Sequence, residues 1–178
     1  MRSKAETTAR ILTVMIGCVL ALAIGMWVSG DVGAMRDKVE KDARGGVVPD
    51  GFVCQSSEGN RMQALVFYDP NDPDNGAKAM VYVDRTGLYG DGLDRKFAFG
   101  WFFRGSTPNA APGTVEGLTV EGYAGVAYFS GTGVARIEMA DGTGMEHDPA
   151  IPLAWVGGEN TRFYGADGSE LPCAVRPF

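Results

Sequence analysis

An all-β fold, an antiparallel sandwich or barrel-like domain hung from one N-terminal transmembrane helix, is predicted by three features of the sequence. Residues 11–30 carry no charge and almost no polarity; from residue 51 short apolar runs alternate with turn clusters; and no segment of helical length and period follows. About 20 apolar residues are enough for a helix to cross the hydrocarbon core, where every backbone polar group must be satisfied inside the segment. Many short strands without intervening helices indicate antiparallel pairing rather than a parallel sheet.

The N-terminal flank, residues 1–10, holds Arg2, Lys4 and Arg10 against Glu6, a basic excess that predicts a cytoplasmic N-terminus. The far flank also carries Arg36, Lys38, Lys41 and Arg44, so charge alone does not decide the orientation. Within the span of residues 11–30, Gly17, Ala21 and Gly25 recur every four residues and form a smooth line on which another membrane helix could pack closely. A cleavable signal peptide is the alternative, with small residues at Val28-Ser-Gly30 and Val32-Gly-Ala34 as cleavage sites. The apolar run is longer than a typical signal core, which favours a retained anchor.

Residues 31–50 form the next segment, a juxtamembrane helix and linker. Val32, Met35 and Val39 are spaced by three and four, predicting that the helix continues beyond the membrane, and Gly45-Gly46 with Pro49 ends it. Residues 51–178 then form the β domain. Strands are predicted near 61–69, 78–85, 95–104, 118–129, 134–140, 151–156, 161–165 and 171–176. Asp69-Pro-Asn-Asp-Pro-Asp-Asn-Gly76 joins the first two, with two prolines that cannot enter a ladder and an Asn-Gly turn. In Lys96-Phe-Ala-Phe-Gly-Trp-Phe-Phe-Arg104 the period of two puts Phe97, Phe99, Trp101 and Phe103 on one face, read as the heart of the core. The segment from Ser106 to Gly117 is rich in Pro, Ala and Gly and reads as a long loop.

Three cysteines occur. Cys18 lies in the apolar run as a small hydrophobe. Cys54 and Cys173 flank the β domain, and a disulfide between them would close a loop of about 120 residues and stabilise it by about 4 to 5 kcal/mol in the chain-entropy picture. Such a bridge implies an oxidising compartment, and it is what places the β domain on the extracytoplasmic side.

Of the net charge of −6, the N-terminal flank contributes +2, so residues 31–178 carry −8. That surface repels phosphate, which argues against a nucleic-acid partner. The Asp69–Gly76 loop is rich in oxygen side chains, yet Pro73 and Met80 stand where a calcium loop needs ligands, so it reads as a turn. His147, the one histidine, rules out multi-histidine zinc sites and reads as a loop residue between Glu146 and Asp148. There is no nucleophile elbow and no phosphate-binding Gly-Lys-Ser/Thr; Gly131-Thr-Gly133 and Gly142-Thr-Gly144 read as turns. Asp84, Asp91, Asp94 and Glu116 are the scattered carboxylates from which a glycosidase pair would have to be drawn.

Gly131-Thr-Gly-Val-Ala-Arg-Ile-Glu-Met-Ala-Asp-Gly142, Ile151-Pro-Leu-Ala-Trp-Val-Gly-Gly158 and Phe163-Tyr-Gly-Ala-Asp-Gly-Ser-Glu-Leu171 resemble a C-terminal β-module of actinobacterial exported or single-pass membrane proteins, some of them extracytoplasmic parts of anti-sigma factors. The resemblance implies an extracytoplasmic β domain and names no catalytic position. Only ten residues precede the span and no His/Cys zinc motif accompanies them, so a sigma-binding role is not implied. The expected function is a single-pass, membrane-anchored extracytoplasmic binding or assembly module, an accessory subunit of a membrane or envelope complex, with lipid and other membrane proteins as partners. No catalytic, cofactor or metal site is expected. The alternative is an exported carbohydrate-binding protein or hydrolase with an acidic cleft.

Overall fold

The computed structural model describes residues 4–29, 31–89 and 96–178; Arg2, Gly30, Asp91 and Asp94 lie outside the described residues. In chain order the elements are α1 (Lys4–Ser29), a 3₁₀ turn (Arg36–Lys38), α2 (Val39–Val47), β1 (Val53–Gly59), β2 (Met62–Tyr68), β3 (Lys78–Asp84), β4 (Gly87–Tyr89) and β5 (Lys96–Ala98). They continue as β6 (Trp101–Pro108), β7 (Val115–Thr119), β8 (Val126–Ser130), β9 (Arg136–Glu138), β10 (Gly144–Glu146), β11 (Leu153–Gly157), β12 (Arg162–Tyr164) and β13 (Cys173–Pro177). The chain is mostly strand, as expected, with one long apolar helix at the start. It divides into two compact units, residues 1–33 with 85–100, and residues 34–84 with 101–178.

In the first unit, α1 runs for 26 residues, roughly 39 Å at 1.5 Å per residue. No part of its apolar segment Glu6–Gly25 is buried inside the protein. The same unit holds the hairpin of β4 and β5, with Leu88 opposite Phe97.

The second unit contains two four-stranded sheets, in the orders β1-β2-β3-β6 and β11-β8-β7-β13, and a smaller sheet, β10-β9-β12. β2 and β3 show why period two matters. Met62, Ala64, Val66, Ala79, Val81 and Val83 enter one cluster together with Leu118, Ala127, Phe129, Ala154 and Val156 of the other sheet. The intervening Leu65, Phe67, Met80 and Tyr82 enter a second cluster with Val39 and Ala43 of α2. Both faces of these strands are therefore covered, which accounts for their near-continuous apolar sequence. A third cluster joins Val126, Tyr128 and Leu153 to Ile137 and Phe163 of the small sheet.

Several expectations change. The juxtamembrane helix does not run on from α1: residues 31–35 are non-helical, and α2 starts only at Val39, after the 3₁₀ turn. Val39 and Ala43 face the core, whereas Val32 and Met35 of the expected stripe are exposed. Gly45-Gly46 does not stop the helix, which extends to Val47. The predicted strand 95–104 is broken at Gly100, whose φ of 102° lies in the left-handed region that favours glycine, and becomes β5 and β6. The predicted strand 118–129 likewise splits into β7 and β8 at a turn through Gly122, φ 83°. Pairing between the numbered strands is antiparallel except for β13, which runs parallel to β7 with Cys173 beside Val115.

Candidate functional site

The extended segment after α1 and the residue that follows β5 meet through the backbone. Phe99 N–H donates to the Asp31 carbonyl (3.1 Å) and Gly33 N–H donates to the Phe99 carbonyl (2.8 Å), so Val32 and Phe99 form a parallel bridge. Bridge partners point the same way, and so do Leu88 and Phe97 in the antiparallel hairpin and Phe97 and Phe99 two residues apart. Val32, Phe99, Phe97 and Leu88 thus share one face, and they are 47%, 44%, 40% and 69% exposed. Ala98, pointing the other way, is 1% exposed. Gly100 N–H donates to the Thr86 hydroxyl (3.0 Å) and Arg85 N–H to the Gly100 carbonyl (3.1 Å), pinning the base of the hairpin.

The expected aromatic core face is corrected by the same geometry. Of Phe97, Phe99, Trp101 and Phe103, only Trp101 is buried; Phe103 is 53% exposed and lies against Tyr82, ring centroids 5.5 Å apart. Alternation assumed one continuous strand, whereas the chain breaks at Gly100, and it carried no information on which residues are covered.

The expected disulfide is also corrected: Cys18, Cys54 and Cys173 are all free thiols. Cys54 sits on β1 beside Phe67, packed against the α2 cluster, while Cys173 opens β13 at the edge of the other sheet. Pairing them would require the two sheets to shift. Burial, with a smaller contribution from Glu40, pushes the Cys54 thiol up to about 12. Gly17 and Gly25 of the membrane-packing line have open space where a Cβ would stand, and the side chain of Ala21 is exposed.

The polar candidates among the described residues make structural contacts, and Asp91 and Asp94 lie outside those residues. In the aspartate loop, Asp69 accepts from the backbone and side chain of Asn71, Asp72 from Asn75, and Asp74 from the backbone and hydroxyl of Thr132 (both 2.7 Å). No cluster of three or more metal-ligating side chains occurs among the described residues. His147 places Nδ1 3.0 Å from the Val134 carbonyl, so Nδ1 carries the proton, and Nε2 is buried with no hydrogen-bond partner. Asp84 pairs with Arg61 (3.5 Å) and Glu116 with Arg176, on β3 and β7 of different sheets.

A surface depression of ≈ 520 Å³ is lined by Glu138, Met139, Gly142, Glu159, Thr161 and Arg162. Glu138 already accepts a 2.6 Å bond from Arg136. Trp101 is buried and Trp155 half-buried, so neither offers an open ring face of the kind a sugar stacks on. Val32, Leu88, Phe97 and Phe99 stand out because four exposed apolar side chains are brought together on one face. No known family, no curated protein and no solved structure matches this chain.

Proposed function

We propose that the protein is a single-pass membrane protein whose β domain, an antiparallel sandwich in our reading, acts outside the cytoplasm as a binding or assembly module. The observation that carries this is the apolar segment Glu6–Gly25, with no protein cover anywhere along it. Exposing such a segment to water costs about 25 cal/mol per Å² of apolar surface, and lipid removes that cost. The basic N-terminal flank supports an N-in orientation. On the far side, Arg36 pairs with Glu58 (2.6 Å), and Arg44 bonds Glu40 and the Phe52 carbonyl and lies 5.1 Å from the Phe67 ring centre, so two of the four competing cations serve the β domain itself. The domain's acidity favours a protein partner over nucleic acid.

In this reading the Gly17, Ala21 and Gly25 line is where a partner's membrane helix packs, making the chain an accessory subunit of a larger membrane assembly. The hydrolase or carbohydrate-binding alternative has less support, because Asp84, Glu116 and Glu138 are each engaged by an arginine. Purification from native membranes in mild detergent tests the proposal. The wild type should migrate with a partner in a native gel, and the Gly17→Leu/Gly25→Leu variant should lose it. A chain that runs alone at its own mass, unchanged by those substitutions, would overturn the assembly role.

A further inference from the structure

We propose that Val32, Leu88, Phe97 and Phe99 form a membrane-interface insert, seated in the headgroup and upper acyl region of the leaflet from which α1 emerges. This rests on the reading of α1 as a span and goes beyond it by assigning a lipid-binding surface to the hairpin. Three observations carry it. First, reach: Val32 is three residues past Ser29, the last residue of α1, so it lies within roughly 11 Å of the helix end whatever the local conformation. The apolar stretch from Ile11 to Ser29 is about 28 Å long as a helix, close to the hydrocarbon thickness, so the helix end falls at the interface.

Second, coupling: Phe99 is tied to Asp31 and Gly33 by two backbone hydrogen bonds, and β4 is in turn paired with β5. Leu88 is therefore only two interstrand spacings from Val32, roughly 10 Å. Third, polarity: all four side chains are apolar, share one face and are exposed, while Ala98 on the opposite face is buried. An apolar, phenylalanine-rich surface held at this depth fits the headgroup and acyl boundary, where amphipathic interfacial elements bury their apolar faces. A protein partner is the competing occupant; the covalent link to the span favours lipid.

The test uses the full chain with its native cysteines replaced, reconstituted in phosphatidylcholine/phosphatidylglycerol vesicles. A nitroxide spin label is placed singly at Leu88→Cys, Phe97→Cys or Val32→Cys, at Glu146→Cys as an aqueous reference, or on retained Cys18 within the span. Circular dichroism selects variants that keep the strand signal, and three face positions keep the test open if one variant misfolds. The expected result is a ratio of oxygen to nickel-chelate accessibility on the face several-fold above that at position 146 and below that at Cys18. Face labels as accessible to the chelate as position 146, with Cys18 lipid-exposed, would overturn the insert while leaving the anchor standing. Face labels shielded from both reagents would overturn it in favour of a protein occupant. A Cys18 label open to the chelate would overturn the anchor and the insert together.

Discussion

The Tyr82 hydroxyl donates a 2.8 Å hydrogen bond to Asp42, joining a β3 side chain that is 2% exposed to the outer edge of α2. α2 also holds to the sheet through Val39 and Ala43 and through Arg44 over the Phe67 ring, and this bond adds a directional polar tie. Tyr82→Phe should cost about 1 kcal/mol, because exposed Asp42 regains water. Asp42→Ala should cost at least as much, because it leaves the buried hydroxyl unpaired. The double variant should cost clearly less than the sum, measured by urea unfolding in detergent. Additive losses would mean the bond does not hold α2.

Alkaline pH should destabilise the domain. Burial raises Cys54 from 9.0 to about 12, raises Tyr128 to about 12, and raises Tyr82 further, with help from Asp42. Each raised group stays protonated in the folded chain while the unfolded chain ionises near its ordinary value, so their stabilisation is complete below about pH 9 and is lost as pH rises toward 12. The urea midpoint should fall between pH 9 and 11. Cys54→Ala should flatten the first part of that fall, since tyrosine ionises later in the unfolded chain. A midpoint unchanged from pH 8 to 11 would contradict the buried placement of these groups.

The C-terminal ring of Phe178 occupies the space over Gly105, where any Cβ would collide with it, and Phe178 N–H donates to Thr119 (2.9 Å). Gly105→Ala should therefore displace Phe178 and lower the thermal midpoint by several degrees, about 3 °C for each kcal/mol in a domain of this size. In the Phe178→Ala background the same substitution should cost much less. Equal costs in both backgrounds would show that the ring does not pack there.

How much was legible in the sequence follows from what each signal measures. The helix α1 was legible because twenty charge-free residues have few other fates, and β2 and β3 because β-branched and aromatic residues alternate between bounding turns. β1 was not, since Val53-Cys-Gln-Ser-Ser-Glu-Gly59 is an edge strand with little apolar content and takes its conformation from pairing with β2. The disulfide was misjudged because spacing along the chain does not report that Cys54 and Cys173 join different sheets. The exposed face was half legible: Phe97 and Phe99 were placed together, but Leu88 and Val32 join them only through pairings between distant segments.

Asp74 bridges the aspartate loop to Thr132 through two 2.7 Å bonds, so its role is to hold the turn. Asp74→Ala should destabilise by about 1 to 2 kcal/mol. Millimolar calcium should leave the wild-type midpoint unchanged. A rise of several degrees with calcium, lost in the variant, would restore the cation reading of this loop.

The thiols should remain free whatever the compartment. Alkylation of the denatured, unreduced protein should add three labels by intact mass, one each on Cys18, Cys54 and Cys173. A mass showing one label, with two more after reduction, would restore the bridge and with it a shifted pairing of the two sheets.

The account depends most on α1 crossing a membrane with the β domain outside. The direct measurement is membrane-impermeant maleimide labelling in intact cells, on chains with the native cysteines replaced and a single cysteine at Glu6→Cys or Glu146→Cys, followed by alkaline carbonate extraction. The account predicts that the chain stays in the membrane pellet, that position 146 labels in intact cells, and that position 6 labels only after permeabilisation. Recovery of the chain in the carbonate supernatant, or labelling of position 6 but not 146 in intact cells, would contradict it.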